Sequence, residues 1–338
     1  MVRNENRYDW ADIAKGLGIF LMVWGHSGLP APIHNWIHSF HMPFFFIISG
    51  FFFKQGKYTF KEYFLRKTKT ILLPYVFFAI CDYLIRNGCI SMGLEVAPPR
   101  SIYEMFVLGK DIGAAWFLLS LFFTEVLFFF ISKLSNNKIV CFIITSVLFS
   151  VSYYFYMTHM RFPYKIEIWG ATLFYYNIGY LVAQTSLKKR VSENCFVGWK
   201  WQLLLVGMLV LDFFLANLIK PAINIRVNIL GVHLPSILLV CLGSFLIFQL
   251  SHIIDEVDNL FVKLLKMFFK YIGEYSIVLI GFSQVILQIL KSLLSYLSIS
   301  VVMATAIRYT LLWVVMLLLI AVFKNYMPIL IGKSKIKK

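Results

Sequence analysis

The sequence predicts an all-α, polytopic integral membrane protein with about ten transmembrane helices and both termini on the cytoplasmic side. Three observations lead to this class. Of the 338 residues, 60% are hydrophobic and only 14% are charged, and the mean hydropathy is +0.77. The apolar residues form runs of spanning length, and the basic residues between those runs are unevenly distributed. A soluble core cannot bury so much apolar surface, so we place the chain in a bilayer.

Apolar runs long enough to cross the hydrocarbon core recur along the whole chain. Pro30 and Pro32 leave a very short turn between the first two runs, which predicts a tight helical hairpin. Because no repeat or appended soluble segment interrupts the series, we expect a single membrane-embedded domain over residues 1–338. The ten runs are 13–28, 36–53, 70–85, 114–131, 139–157, 168–187, 201–219, 234–250, 271–290 and 299–323.

The distribution of Lys and Arg predicts the orientation. With the N-terminus inside, 23 of the 32 basic residues fall in cytoplasmic segments and 8 in outer loops, while Arg308 lies within a run. This asymmetry follows the positive-inside rule. It also explains the net charge of +16 by contact with anionic lipid, so no nucleic acid is predicted as a partner. A cleaved signal peptide in the first run is the alternative, but its removal would invert the charge balance.

Two ionisable residues lie within the first apolar run. Lys15 and His26 are eleven positions apart, which is roughly 16 Å along a helix axis. Because an ionisable residue inside a span is expensive to insert, such residues mark functional sites. The spacing places one near each side of the bilayer. We therefore expect one helix to serve chemistry on both leaflets, which a noncatalytic scaffold would not require.

Histidines also cluster at the start of the second run. His34, His38 and His41 follow one another at spacings of four and three, so they share one helical face. For His34 and His38 we favour the interpretation that they anchor the helix end or bond to backbone groups freed by Pro43. A shared metal ion is the alternative, but no nearby carboxylate or Cys completes a ligand set. We predict no metal site.

Three further charges lie near mid-bilayer, about ten residues from the ends of their runs: Glu125, Asp212 and Arg308. An unpaired charge at that depth would cost several kcal/mol. We therefore expect Arg308 to pair with at least one of the two carboxylates. Two interpretations stay open for these residues, a structural ion pair and a lining of the channel through which the donor passes.

The order of several motifs resembles the acyltransferase type 3 family of integral-membrane acyltransferases. The motifs are DIAKGLGIFLMVWGH, SFHMPFFFIISGFFF, RKTKTILLPY, AAWFLLSLFF, NIGYLVAQ and YIGEYSIVLIGFSQ. The resemblance covers essentially the whole chain. It implies a multi-pass enzyme of the cell (cytoplasmic) membrane that moves an acyl group, commonly acetyl from cytoplasmic acetyl-CoA, to a hydroxyl of a sugar or surface polysaccharide. The DIAKG opening is most similar to members called fucose 4-O-acetylases.

The resemblance also implies site residues, position by position. The family's basic residue followed by ten residues and a His matches Lys15 and His26, with Lys where many members have Arg. Lys keeps the point charge but lacks the bidentate fork of Arg. The second-span His matches His41, and the basic residue before LLPY falls on Arg66 or Lys69.

One position departs from the family's pattern. Many sugar-acetylating relatives have a His a few turns after the late motif, whereas this chain has Ser283 there, with Gln284 beside it. We therefore carry over no role for that third histidine.

The chemistry of these residue types agrees with the resemblance. A neutral His can take the proton of a sugar hydroxyl at neutral pH, so we predict His26 as general base, with His41 orienting it or binding the acceptor. Lys15, Arg66, Lys67 and Lys69 are predicted to bind the phosphates of the acyl donor. Acetyl-CoA is then a substrate, and no resident cofactor is expected. Ordinary positive-inside charge explains most of the basic stretch equally well.

A membrane transporter or flippase is the competing function. Intramembrane His, Asp, Glu and Arg residues also build proton relays and substrate paths. Transporters of that kind often contain inverted repeats with paired broken helices, and the sequence shows none. We therefore expect acyl transfer, with acyl-CoA, a carbohydrate acceptor and membrane lipid as partners.

Overall fold

The computed structural model describes residues 8–110, 112–185, 198–297 and 299–333. Within these ranges the chain is helical and contains no β-strand beyond an isolated bridge between Asn224 and Ile229. Several of its helices are long and apolar enough to cross a membrane. The predicted all-α, polytopic class is therefore confirmed.

The described part of the chain contains a series of α-helices. They are α1 Asp9–Gly25, α2 Ala31–Phe51, α3 Phe60–Lys67, α4 Leu73–Ser91, α5 Ile102–Phe106, α6 Trp116–Leu134, α7 Lys138–Met157, α8 Ile166–Gln184, α9 Trp199–Leu218, α10 His233–Glu256, α11 Leu260–Glu274, α12 Ser276–Ser295 and α13 Val301–Tyr326. A π-helical segment, Thr68–Leu72, joins α3 to α4 without a break.

Seven of the ten predicted runs coincide with described helices long and apolar enough to span a bilayer: Phe60–Ser91, Trp116–Leu134, Lys138–Met157, Trp199–Leu218, His233–Glu256, Ser276–Ser295 and Val301–Tyr326. The other three correspond to α1, α2 and α8. Of these, α1 has only 17 residues, and α2 carries three histidines. The count of ten and the orientation stay predictions.

The ninth run differs from its prediction at its start. The sequence predicts one helix from residue 271, but the chain bends at Tyr275, where φ is −112° and ψ is 23°. The separate helix α11 precedes this bend. Lys263, Lys266 and Lys270 lie along α11, and the ammonium groups of Lys266 and Lys270 each approach a carboxylate to 2.6 Å. The predicted run 271–290 therefore contains the end of the charged helix α11 and most of the apolar helix α12.

The described chain divides into two compact units. The first contains the described residues of Met1–Gly25, Leu29–Phe53 and Phe174–Ser276; the second contains those of His26–Gly28, Lys54–Leu173 and Ile277–Lys338. Helix α8 passes from the second unit into the first. The prediction of a single domain over residues 1–338 is left as a prediction.

In the first unit, α1 and α11 are held together at two glycines. A Cβ placed at Gly16 would lie 2.0 Å from the carbonyl oxygen of Phe269, and one at Gly273 would lie 1.8 Å from that of Asp12. Each helix thus presses a glycine against the backbone of the other. Small residues allow this approach, which favours helix association within lipid. The contact fixes the face of α1 that adjoins Lys15.

A second reciprocal glycine contact lies between α2 and the later half of α8. A Cβ at Gly50 would lie 1.8 Å from the carbonyl oxygen of Tyr176, and one at Gly179 would lie 1.8 Å from that of Ile47. Helix α2 also packs against α1, α9 and α10, and α10 packs against α1 and α11. The first unit is therefore built around α1 and α2.

The second unit contains a long bent helix formed by α3, the π-helical segment and α4. Thr59 and Glu62 form a capping box that starts α3. Pro74 has no amide hydrogen for the carbonyl of Thr70, and a wider π turn accommodates this loss. The Thr70 carbonyl is approached instead by Gly332, where a Cβ would lie 2.6 Å away. The C-terminal turn therefore packs on the bend.

The glycine contacts predict a large loss of stability when a methyl group is inserted. Gly273→Ala should lower the melting temperature of the detergent-solubilised protein, because backbone atoms of α1 would have to move. Overpacking of this kind costs about 1–3 kcal/mol or more. Gly207→Ala is the matched control, because no atom lies within 4 Å of its Cβ position. An equal effect of the two substitutions would contradict the close contact.

Candidate active site

His26 lies in the turn that follows α1, and its ring meets α12. Nε2 of His26 is 2.9 Å from Nε2 of Gln284. An amide nitrogen can only donate, so the ring nitrogen accepts this hydrogen bond and the neutral ring carries its proton on Nδ1. The interaction joins residues 258 positions apart in the chain. The structure thus brings the predicted base to the residue beside Ser283.

The guanidinium of Arg308 also contacts this turn. Nη2 of Arg308 donates to the carbonyl oxygen of Ser27 over 2.8 Å. A Cβ at Gly28, where φ is +87°, would lie 3.9 Å from the same nitrogen. The guanidinium therefore holds the backbone next to His26.

The C-terminal half of α4 carries a buried ion pair. Nε of Arg86 lies 2.8 Å and 2.9 Å from the two carboxylate oxygens of Asp82. Nη1 of Arg86 also donates to Oε1 of Gln288 over 2.6 Å and to the carbonyl oxygen of Ala97 over 3.1 Å. Because every charged group here has a partner, the pair is a structural tie between α4, α12 and the loop that follows α4.

Lys15 belongs to the first unit, on the second turn of α1. Its Nζ is 3.6 Å from Oδ1 of Asp12, and its side chain is 36% exposed. The ammonium also lies 5.8 Å from the centroid of the Phe52 ring. Gly25 follows ten positions after Lys15 in the same continuous helix, about 15 Å along the axis. Because its side chain is partly exposed, the Lys15 ammonium can bind an anionic group of a substrate.

The three histidines of α2 stack along one face, as their spacing predicts. The ring centroids of His34 and His38 are 3.8 Å apart, and those of His38 and His41 are 4.8 Å apart. Nδ1 of His38 donates to the carbonyl of His34, and Nδ1 of His41 donates over 2.8 Å to that of Ile37. Pro43 has no amide hydrogen for the carbonyl of Ser39, but the two histidines bond to carbonyls two and five residues before Ser39. His41 is only 2% exposed, and its acceptor nitrogen is Nε2.

The basic stretch of the second unit divides into exposed and neutralised cations. Arg66 is exposed, bonds to the hydroxyl of Tyr58 and lies 5.1 Å from the centroid of that ring. Lys69 is exposed on the π-helical segment. Hydrogen bonding to Lys57 and the charge of Arg66 hold the pKa of Tyr58 below its usual value. Arg66 and Lys69 therefore contribute to a positive surface.

Glu125 pairs with Lys67, and the expectation that Arg308 neutralises it is wrong. Nζ of Lys67 is 2.7 Å from Oε1 of Glu125, and the hydroxyl of Tyr63 donates to Oε2. The carboxylate is 4% exposed. The bend between α3 and α4 brings Lys67 alongside α6, which the positions of these residues in the sequence do not reveal.

Asp212 is enclosed in the first unit without an ion-pair partner among the described residues. It is completely buried, and its Oδ2 accepts a hydrogen bond of 2.9 Å from Nε1 of Trp36. Its other oxygen has no hydrogen-bond partner within the described part of the chain. The observed partner of Asp212 is thus a neutral indole on α2.

The described residues contain no group of three or more His, Cys, Asp or Glu side chains arranged to hold a metal ion. Stacking of His34 on His38 presents ring faces to each other, a geometry unlike that of two ligands converging on one ion.

A family model described as an acyltransferase domain matches residues 8–324 of the chain. The chain belongs to the acyltransferase type 3 family. No curated protein and no solved structure matches the sequence significantly. The family match and the helices establish a multi-pass membrane acyltransferase, and no observation favours the alternative of a transporter or flippase.

For this acyltransferase, the structure places the predicted site residues in both units. His26, Arg66, Lys69, Glu125 and Arg308 lie in the second unit. Lys15, His41 and Asp212 lie in the first. Among the former, Arg308 is close to the backbone of the residue after His26, whereas Glu125 takes part in a separate ion pair.

Sequence reasoning missed the contact between His26 and Gln284. A signal for it does exist, because Gln284, Gln288 and Ser292 recur every four residues on a helix that is otherwise mostly apolar. Polar residues on one face of such a helix need partners inside the protein. The pattern does not say which partners, since these lie far away in the chain.

The ion pair between Lys67 and Glu125 predicts a specific pattern of rescue. Glu125→Ala should lower the free energy of unfolding by about 3 kcal/mol or more, because a half-buried ammonium loses its counterion. Adding Lys67→Met should recover part of that loss, and thermal unfolding of the solubilised variants measures both effects. Adding Arg308→Met instead should bring no recovery. Recovery with Arg308→Met alone would contradict the assignment.

Proposed function

We propose that this acyltransferase transfers an acetyl group from cytoplasmic acetyl-CoA to a hydroxyl of a sugar in a surface polysaccharide, in the cytoplasmic membrane. The family match supports acyl transfer. The observation that carries the choice of a hydroxyl acceptor is the state of His26. Its Nε2 accepts a hydrogen bond, so the ring presents a lone pair where a hydroxyl proton would have to go.

The proposed step is a balanced acyl transfer. Nε2 of His26 takes the proton of the acceptor hydroxyl as the oxygen attacks the thioester carbonyl. A C–O bond forms, the C–S bond of acetyl-CoA breaks, and the proton ends on the sulfur of the leaving coenzyme A. The products are an acetyl ester and free coenzyme A. His41 is proposed to bind the acceptor or orient the base, a role that its Nδ1 bond to Ile37 supports by fixing its tautomer.

The donor is proposed to bind through Lys15, Arg66 and Lys69. Coenzyme A carries several phosphate charges, and cations bind phosphates strongly. Arg66 and Lys69 are exposed, which supports this role. We leave Lys67 out of the donor site, because its ammonium already pairs with Glu125, which also accepts a hydrogen bond from Tyr63. The channel role considered for Glu125 loses support for the same reason.

The proposal requires the N-terminus and the loop before α3 to lie in the cytoplasm. The distribution of basic residues supports this orientation. Cys195, which would report on the same side in a labelling experiment, lies outside the described residues. The chain between α4 and α6 would then lie on the opposite side of the membrane, where we place the acceptor.

The role of His26 predicts a large and specific loss of activity. His26→Ala should lower the rate of acetyl transfer by roughly 10²- to 10⁴-fold, the usual effect of removing a general base. His34→Ala is the matched control, since His34 is half-buried and stacked on His38. Membrane vesicles supplied with radiolabelled acetyl-CoA give the rate, measured as label in the envelope glycan.

Two outcomes of this assay would overturn the proposal. Unchanged acetylation by a folded His26→Ala protein would remove His26 from the mechanism. A wild-type protein that moves acetyl groups to a lipid or protein instead of a glycan would overturn the proposed acceptor.

The role of Lys15 predicts a change in use of the donor. Lys15→Ala should raise KM for acetyl-CoA roughly 10- to 100-fold, because a charge-assisted hydrogen bond contributes about 1.5–3 kcal/mol. Lys15→Arg should retain most of the affinity, since it preserves the charge. The control is Lys263→Ala, an exposed cation on α11. An unchanged KM in Lys15→Ala would exclude Lys15 from donor binding.

A further inference from the structure

Helix α12 has one polar face, which lies within the second unit. Gln284, Gln288 and Ser292 follow at intervals of four residues, and Tyr296 continues the series one residue beyond the helix end. Intervals of four place side chains on the same face of a helix. We call these four residues the α12 stripe.

Each residue of the α12 stripe forms a hydrogen bond with a distant segment. Gln288 accepts from Arg86 and from the amide of Ala97, Ser292 accepts over 2.8 Å from the amide of Glu95, and Tyr296 donates over 3.1 Å to the carbonyl of Gly93. The three bonds to Gly93, Glu95 and Ala97 anchor the loop that follows α4. Gln284 alone of the four bonds to a proposed catalytic group, the ring of His26.

The position of the Gln284 amide is restricted on its other side. A Cβ at Gly113 would lie 3.2 Å from Oε1 of Gln284, and φ of Gly113 is +47°. The chain before α6 therefore approaches the amide oxygen at a residue without a side chain. Ser283, the neighbour of Gln284, is completely buried, and its hydroxyl has no hydrogen-bond partner among the described residues. Of these two adjacent polar residues, Gln284 is the one that hydrogen-bonds to His26.

We propose that Gln284 is the positioning residue of His26: its amide holds the neutral ring with the proton on Nδ1 and marks the place where the acceptor hydroxyl binds to Nε2. This inference rests on the proposed function of His26. The amide nitrogen lies 2.9 Å from Nε2, a normal distance for a hydroxyl donor as well. The acceptor hydroxyl therefore has to take the place of the amide N–H.

An amide suits this task because it can serve both protonation states of the ring. Its nitrogen donates to Nε2 of the neutral ring, and its oxygen accepts from Nε2–H after proton transfer. A rotation of the amide group exchanges the two atoms. A carboxylate would have no donor for the neutral ring and would favour the charged ring. The charged side chain that binds this turn is Arg308, through the carbonyl of Ser27.

The test compares two glutamines one helical turn apart. Gln284→Glu places a carboxylate against His26, whereas Gln288→Glu places one against Arg86, which lies 2.6 Å from the present amide oxygen. The protein is solubilised as the full chain and treated with diethylpyrocarbonate, which modifies neutral imidazole. Mass spectrometry then gives the extent of modification at His26 as a function of pH.

We expect Gln284→Glu to raise the pH midpoint of His26 modification by roughly one to three units, because an adjacent opposite charge stabilises the imidazolium. The acid limb of kcat for acetyl transfer should move in the same direction, with KM for acetyl-CoA unchanged. Gln288→Glu should leave both midpoints where they are in the wild type. If Gln284→Glu does not fold, Gln284→Ala should still raise the midpoint, by a smaller amount, because the neutral ring loses its donor.

An unchanged midpoint at His26 in folded Gln284→Glu or Gln284→Ala protein would overturn the positioning role, and so would equal shifts in the Gln284 and Gln288 variants. The modification readout does not depend on acyl transfer. If the midpoint shifts but the protein transfers no acetyl group, the contact between Gln284 and His26 is supported and the proposed function is refuted. If the midpoint does not shift but His26→Ala is inactive, the role of His26 is supported and the positioning role of Gln284 is refuted.

Discussion

Polar groups within the hydrocarbon region of a bilayer must find their partners inside the protein, because no water is present to satisfy them. This constraint organises the buried charges of the second unit. Arg86 pairs with Asp82 and also bonds to α12 and to the loop that follows α4. Glu125 receives both Lys67 and Tyr63. Each buried charge with such partners fixes the relative placement of the elements that supply them.

The same environment permits helices to meet backbone to backbone at glycines. Gly16 is pressed against α11, and it directly follows Lys15 in the sequence. The face of α1 that carries Gly16 cannot turn away from α11 without separating the two helices. The direction available to the Lys15 side chain is therefore set by packing, and its distance of 3.6 Å from Asp12 follows from their positions on one helix.

Pairing also separates structural cations from those that can bind a substrate. Lys67 and Arg66 are neighbours in the sequence, yet the former faces a buried carboxylate and the latter is exposed. A helix rotates by 100° per residue, so adjacent residues point in different directions. The proposed donor site therefore includes Arg66 and Lys69 of this basic stretch but not Lys67. The bend at the π-helical segment determines which of these cations stay exposed.

The sequence by itself determined the class, the approximate helices and the identity of the notable residues. Hydrophobic runs, prolines and the distribution of basic residues are local properties, and they were sufficient to predict seven of the helices confirmed as long and apolar enough to span. The family motifs likewise marked Lys15, His26 and His41. Only the tertiary structure determined which residues are partners. In it Glu125 pairs with Lys67, and His26 bonds to Gln284, 258 positions away. The physical reason is that a hydrogen bond between distant segments depends on how helices pack, and helix packing depends on surfaces assembled from many parts of the chain.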